Sequence, residues 1–339
     1  MKLSLGIVGL PNVGKSTLFK ALTKNDIPIA NYPFCTIDPN VGVVVVPDER
    51  VDKLAEMSKS KKKIPAVVEF YDIAGLVKGA YKGEGLGNKF LSHIRETNAI
   101  VQVLRCFPLG EIVHVENSVD PLRDMEIINS ELALKDLETI DKSMSTVEKD
   151  IKAAGSASSP QAKGAVKDLE VLKKAKELLS AGKLIMELKD EPIIKNIQLL
   201  TAKPQIYLLN GKPEHVPQNL TDKIKSVGAD YSVMDLSSPE IDLGDLIRKS
   251  YAILNLISFF TTGEDETRAW TIMKGEKAPQ AAGTIHTDFE KKFVKAEVIN
   301  CAKLLEVGGW AKAKQKGVLR LEGKEYVFQD GDVTEIKHG

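Results

Sequence analysis

The chain has 339 residues, with 47 Lys+Arg against 47 Asp+Glu, and is 43% hydrophobic and 28% charged. That length predicts about two or three domains, and the near-average composition excludes a disordered chain, a collagen-like fibre and a disulfide scaffold. The zero net charge speaks against a globally basic nucleic-acid binder and leaves local basic faces open.

The N-terminal Leu3 to Gly9 alternates apolar and small residues, which reads as a first strand and not as a signal peptide. Lys15 to Thr23 places Leu18, Phe19 and Leu22 on one side of a helix. Val41 to Val46 and Ala66 to Asp72 are β-branched strands, Phe90 to Thr97 is helical, and Ala99 to Phe107 is another apolar strand. Strands alternating with helices predict an α/β unit with a mostly parallel sheet. Leu137, Ile140, Met144, Val147 and Ile151 then recur at spacings of three and four, followed by a small-residue tip from Ala154 to Gly164. Val166, Leu169, Leu172, Ala175 and Leu179 give a return helix. This pattern predicts an antiparallel coiled-coil arm that buries its own seam and little else. Pro204 to Asn210 and Tyr231 to Leu236 return to strand patterns, with a helix near Leu243 to Leu254, so the α/β unit resumes. From about Ile257 short strands are expected at Arg268 to Met273, Phe293 to Val298, Val318 to Leu321, Tyr326 to Phe328 and Val333 to Ile336. The best apolar run, Ala252 to Phe260, is interrupted by Asn255 and Ser258, so no membrane span is expected. Cys35, Cys106 and Cys301 form no Cys-x-x-Cys pair, which fits a reduced cytoplasmic protein without a zinc site.

Gly9 to Ser16 matches the phosphate-loop pattern Gly-x-x-x-x-Gly-Lys-Ser/Thr, which chance would produce in about one chain of this length in a hundred. It follows a strand and opens a helix, as its chemistry requires. Backbone N–H groups converge on phosphates at the positive end of the helix. The candidate nucleotide-binding residues are therefore Asn12, Val13, Gly14, Lys15, Ser16 and Thr17. Lys15 reaches the β- and γ-phosphates and the Ser16 hydroxyl serves Mg²⁺. Asp72-Ile-Ala-Gly75 ends a predicted strand, so Asp72 is a candidate for holding Mg²⁺ through water and the Gly75 N–H for meeting a γ-phosphate. Thr36 is the candidate second Mg²⁺ hydroxyl. Gly75, Gly79, Gly83, Gly85 and Gly87 crowd one segment, as in a loop that a γ-phosphate orders.

The stretches GLPNVGKST (9–17), NYPFCTIDPN (31–40), DIAGLVKGAYKGEGLGNKFL (72–91), IRETNAI (94–100), RAWTI (268–272), IHTDFEKKFVKAEVI (285–299) and LEGKEYVFQDGDV (321–333) closely resemble the Obg-like ATPase family of the YchF type. The resemblance implies a G domain over residues 1–125 and 200–256. The coiled-coil arm over 126–199 interrupts it, and a TGS domain of ubiquitin-like β-grasp fold follows over 257–339. It also implies cytoplasmic nucleotide hydrolysis coupled to the ribosome, with ribosomal RNA and proteins as partners, and a monomer is expected. GTPases of this class read guanine with Asn-Lys-x-Asp, whereas the YchF type carries Asn-x-x-Glu and resembles an ATP-preferring enzyme. Here the segment is Asn210-Gly-Lys-Pro-Glu214, with the Glu one position late. Asn210 and Gly211 are the candidates for holding the base, and Ser237-Ser238-Pro-Glu resembles the remaining base-side loop.

Leu76 follows Asp72-x-x-Gly75 where many GTPases have a water-orienting Gln. His114 lies beyond the Cys106 strand end, on the expected ligand edge of the sheet, and the resemblance points to it as the catalytic group. A surface or capping His is the plain alternative. Asn12 is a second candidate, because an Asn there marks potassium-dependent relatives. The basic stretches at Lys59 to Lys63 and at Lys312, Lys314, Lys316 and Arg320 read as solvated faces or as contacts to RNA phosphates. The expected function is a Mg²⁺-dependent ATPase switch. The alternatives are a GTPase of the same fold and a non-hydrolysing nucleotide-binding adaptor.

Overall fold

The protein is described from a computed structural model covering residues 4–24, 40–73, 86–107, 118–153 and 160–339, with the backbone alone at 86–90 and 161. Two six-stranded sheets organise these residues. The first has the order β2-β4-β1-β5-β6-β7. Its strands are β1 (Ser4–Val8), β2 (Val41–Val45), β4 (Val67–Asp72), β5 (Ala99–Arg105), β6 (Gln205–Asn210) and β7 (Asp230–Met234). All neighbours pair in parallel except β2, which runs antiparallel to β4 at the edge. Every residue of β1, β5 and β6 is buried, the signature of strands covered on both faces. The helices α1 (Lys15–Leu22), α3 (Leu86–Glu96), α7 (Gln218–Ser226) and α8 (Gly244–Ile253) belong with this sheet. The expected strand and helix pattern of this unit is therefore present, with bounds shifted by a few residues.

Two long helices, α4 (Pro121–Ala153) and α5 (Pro160–Ser180), follow β5. Ile140 and Val147 of α4 pack with Leu172, Ala175 and Leu179 of α5. Lys176 of α5 bridges to Asp141 of α4 at 2.6 Å. Two details differ from the sequence pattern. Val166 is 42% exposed, and Ala162, Ala165 and Leu169 carry that part of the seam instead. The helical phase is set by the well-buried Leu172 and Ala175, and counting back by three and four residues reaches Ala165, not Val166. The hairpin also buries more than its seam. Ile185, Leu188, Leu199 and α6 (Pro192–Ile197) close its base as part of the same apolar cluster. At the other end of α4, Ile128 and Leu132 join the core of the first sheet.

A carboxylate ties this base together. Asp136 of α4 has no solvent exposure. It accepts from Leu200 N–H at 2.9 Å, Thr201 N–H at 2.7 Å and Thr201 Oγ1 at 2.6 Å. Burial pushes its carboxyl up to about 6, against the pull of those hydrogen bonds. Nearby, Lys203 Nζ donates to the carbonyls of Arg95 and Thr97 at the C-terminal end of α3, where a cation suits the helix dipole.

The second sheet has the order β11-β10-β12-β8-β9-β3. Its strands are β8 (Leu256–Thr262), β9 (Glu266–Met273), β10 (Phe293–Asn300), β11 (Arg320–Glu322), β12 (Asp332–His338) and β3 (Lys62–Ile64). β8 and β12 lie parallel at its centre and the other C-terminal pairs are antiparallel. Helix α9 (Ala278–Ile285) covers one face through Ala278, Ala281 and Ala282, packed with Phe259 and Phe328. Short helices α10 (Thr287–Lys291), α11 (Cys301–Val307) and α12 (Trp310–Gln315) complete this unit. Tyr326 to Phe328 is not a strand. It makes one isolated bridge, between Val327 and Lys277, and its rings fill the core as a corner.

The edge strand β3 comes from the N-terminal half and pairs in parallel with β9. It arrives with α2 (Glu49–Ser58), an element outside the sequence expectation. Asp48 caps α2 by accepting from Arg50 N–H at 3.0 Å, and Glu49 and Asp52 sit in its first turn. Val51 and Leu54 share a core with Phe260, Ala269 and Leu304 of the second unit. Arg50 donates to Asp330 at 2.6 Å and stacks 4.9 Å from the Phe260 ring centre.

Candidate functional site

The turn between β1 and α1 is shaped for an anion. Gly14 has φ 109, in the left-handed region, and Asn12 has φ 63. A side chain at Gly14 would meet Asn210 Nδ2 at 2.5 Å, so glycine is required there for both reasons. Helix α1 begins with no side-chain cap and no acidic residue in its first turn. Its first N–H groups and its positive dipole end are free for phosphate oxygens.

Lys15 is 8% exposed, and its ammonium donates to the Leu10 carbonyl at 2.8 Å. Burial lowers it to about 8, partly offset by the charge of Asp72. The Asp72 carboxyl is in turn raised by burial, with Lys15 opposing. Lys15 at the start of α1 and the half-buried Asp72 at the end of β4 thus feel each other's charge without forming a direct ion pair. Ser16 and Thr17 are exposed on the same turn.

These residues line one cleft of about 550 Å³, formed by Asn12, Gly14, Lys15, Ser16 and Thr17 at one end and by Phe107, His215, Asp235 and Ser237, with Asn210 and Leu236 among its walls. Asn210 acts as a brace. Its Nδ2 donates to the Val13 carbonyl at 2.8 Å and its Oδ1 accepts from Leu236 N–H at 3.1 Å. The Gly211 N–H donates to the Met234 carbonyl at 3.0 Å. The structure therefore brings Asn12, Gly14, Lys15, Ser16, Thr17 and Asn210 to one place. Val13 is buried behind the loop. Glu214 is exposed on the turn after β6 and does not line the cleft. Thr36, Gly75, Leu76 and His114 lie outside the described residues.

Phe107, His215 and Asp235 were not singled out by the sequence pattern. The available signal was position: each stands just after a strand of the parallel sheet, β5, β6 or β7, where ligands of such sheets bind. A larger cleft of about 820 Å³ lies beside the hairpin base, lined by residues such as Met125, Leu137, Lys183 and Lys223. It contains none of the phosphate-loop residues and is not the chemical site.

The donor set suits a small hard cation. Ser16 offers a hydroxyl and Asp72 a carboxylate, oxygen ligands of the kind Mg²⁺ takes alongside substrate phosphates. No group of three or more His, Cys, Asp or Glu that could hold a metal alone occurs among the described residues. Among the described residues no helix is long and apolar enough to cross a membrane.

Comparison with known proteins gives matches along the whole chain. A family model described as 50S ribosome-binding GTPase covers residues 4–147. The YchF-GTPase C-terminal model, described as a protein of unknown function, covers residues 256–339. The chain is 45% identical to the Ribosome-binding ATPase YchF of Bacillus subtilis, covering 99% of each. It is 44% identical to the protein of that name from Haemophilus influenzae, again covering 99% of each. It is 42% identical to Obg-like ATPase 1 of Oryza sativa subsp. japonica, covering 99% of this chain and 92% of the relative. The solved structure of the Schizosaccharomyces pombe YchF GTPase superposes with a TM-score of 0.86 at 40% identity, over 99% of this chain and 98% of that one.

Proposed function

The chain belongs to the YchF family of Obg-like P-loop nucleotide triphosphatases, and from that premise we infer that it is a Mg²⁺-dependent, ATP-hydrolysing switch that associates with the ribosome. The observation that carries this reading is the uncapped start of α1 behind Gly14, with Lys15 held beside Asp72. The N–H groups of residues 14 to 17 cradle the phosphates, and the Lys15 ammonium leaves the Leu10 carbonyl for the β- and γ-phosphate oxygens. Ser16 and Asp72 would hold Mg²⁺, with Thr36 as its second hydroxyl. When bound, the ion supplies positive charge against the oxygens on which charge builds during phosphoryl transfer. Gly75 is proposed to meet the γ-phosphate and His114 to position the attacking water. Asn12 is proposed as a potassium ligand. Asn210 and Gly211 shape the base end by fixing the loops around it.

The hairpin α4–α5 is proposed as the coiled-coil arm and the second sheet as the TGS domain of β-grasp type. The parallel centre of β8 and β12 with α9 on one face supports the latter. The domains are proposed as 1–125 with 200–256, then 126–199 and 257–339. We place the protein in the cytoplasm, as a monomer. The relatives' names differ, ATPase for some and GTPase for the solved structure, so a GTPase is the second reading. The absence of Asn-Lys-x-Asp after β6 favours ATP, because guanine's two N–H donors lack that pattern's carboxylate, and the displaced Glu214 keeps the GTPase reading open.

The test is competitive binding of ATP and GTP with Mg²⁺, followed by turnover, on the wild type and on Lys15→Ala. ATP is expected to bind at least tenfold more tightly, and Lys15→Ala to lose binding. Tighter GTP binding would transfer the assignment to the GTPase reading. Binding without turnover would leave only the adaptor.

A further inference from the structure

The base end of the cleft is built differently from its phosphate end. His215 closes the short turn Pro213–His215 after β6. Its Nδ1 is shielded from solvent, yet has no hydrogen-bond partner among the described residues. That shielded nitrogen is out of a ligand's reach, which leaves Nε2 as the ring nitrogen that can donate into the cleft His215 lines. Across the cleft, Asp235 follows β7. Its Oδ1 accepts from Ser237 N–H at 2.9 Å and from the Ser237 hydroxyl at 2.5 Å. Those bonds hold the carboxyl below the usual carboxylate range, so it is ionised and accepts only. They use one oxygen and leave the other outside the turn. Phe107 lines the same cleft, and the Arg105 guanidinium lies 4.1 Å from its ring centre.

An aromatic surface with a carboxylate and an imidazole is a reading set for a purine. The adenine edge presents a donor, the 6-amino group, next to an acceptor, N1. A carboxylate and an imidazole N–H offer the complement. We propose that Asp235 and His215 read the base in this cleft, Asp235 accepting from the adenine 6-amino group and His215 donating to N1, with Phe107 beneath the ring. The pair stands in for the displaced Glu214 and rests on the nucleotide-site reading above. In this chain the family's acidic position after β6 is replaced by an acid after β7. The base is then clasped from two strand ends instead of one.

The experiment uses the full chain and displacement of a ribose-labelled fluorescent ATP by four competitors. These are ATP, GTP, inosine triphosphate, which has a 6-oxo group, and purine riboside triphosphate, which has no 6-substituent. Asp235→Asn keeps an acceptor for Ser237 and places an amide donor where the free oxygen was. It should weaken ATP about tenfold, leave purine riboside triphosphate unchanged and shift preference towards inosine triphosphate. His215→Ala should weaken ATP and purine riboside triphosphate alike, because both keep N1. Thermal melts of both variants establish that they fold. An ATP-to-inosine triphosphate ratio unchanged in Asp235→Asn overturns the proposal. A loss confined to GTP overturns the adenine assignment. Lys15→Ala separates the two levels. If it binds like wild type, the nucleotide site itself is misplaced. If it loses binding while the base ratios ignore Asp235, only the base-reading pair fails.

Discussion

Lys15 is held near the pH at which ammonium groups start to lose their proton, because burial lowers it to about 8. A polyphosphate needs the charged form and stabilises it, so binding raises this value. Above pH 8 the free protein must therefore take up a proton in order to bind. Affinity for ATP should be flat below about pH 7.5 and fall up to tenfold per unit between pH 8 and 9.5. Calorimetry at pH 8.5 in two buffers of different ionisation enthalpy should show proton uptake. No uptake would mean that Lys15 does not meet the phosphates. Asp136 gives a prediction of opposite kind. Its native carboxyl, at about 6, lies above its unfolded value, so the native state binds the extra proton between about pH 4 and 6. Stability from this group is full below that window and is lost as pH rises through it, by about 3 kcal/mol in all. Asp136→Asn removes the titration. The wild-type advantage over the variant in urea unfolding should shrink by about 1–2 kcal/mol from pH 5 to 7.5. A constant difference would contradict it.

Among the elements, the α4–α5 hairpin separates what periodicity can show from what it cannot. The spacing of Ile140, Val147, Leu172 and Leu179 was readable because helix geometry repeats locally. Val166 was misplaced because two adjacent apolar residues, Ala165 and Val166, compete for one seam position and the larger was favoured. Ile140→Ala should cost about 2–5 kcal/mol. Val166→Ala should stay within about 0.5 kcal/mol. Equal costs in denaturant unfolding would restore the original seam. The phosphate loop was fully legible for a similar reason, since its requirements fall within the eight residues from Gly9 to Ser16. His215 and Asp235 were not, because their meeting depends on how β6 and β7 end relative to one another. Sequence spacing carries no record of that.

For the whole molecule, the proposed partner sets the test. The structure divides the two basic stretches that the sequence offers to RNA phosphates. Lys61 and Lys63 pair with Asp265 and Asp52, and Arg320 bonds Asp332 and Tyr326. Lys312 and Lys314 stand in the last turn of α12, outside any such pair among the described residues. Replacing both with Ser should weaken ribosome co-sedimentation and flatten its salt dependence, whereas Lys61→Ser should change neither. Removal of residues 150–167 from the hairpin end should lower the bound fraction without changing ATP affinity. Sedimentation indifferent to nucleotide, salt and hairpin would leave a nucleotide-hydrolysing protein with no ribosomal role.

The placement of β3 and α2 in the second sheet bears on the order in which the molecule comes into being. Both are synthesised while β8 and β9 are still unmade, so a nascent chain carries a helix whose Val51 and Leu54 lack their partners Phe260, Ala269 and Leu304. Four strands of the first sheet, β1, β2, β4 and β5, are present by residue 105, and β6 and β7 complete it by residue 234. The α2–β3 excursion must wait, tethered at both ends to the strands β2 and β4 of that sheet, until the last quarter of the chain arrives to receive it. Early birth and late docking expose apolar surface for most of the time taken by translation, a vulnerability of the nascent chain that is invisible in its native contacts. A fragment beginning at Leu256 would face the converse problem, with β9 as an open edge ready to recruit a strand from another chain.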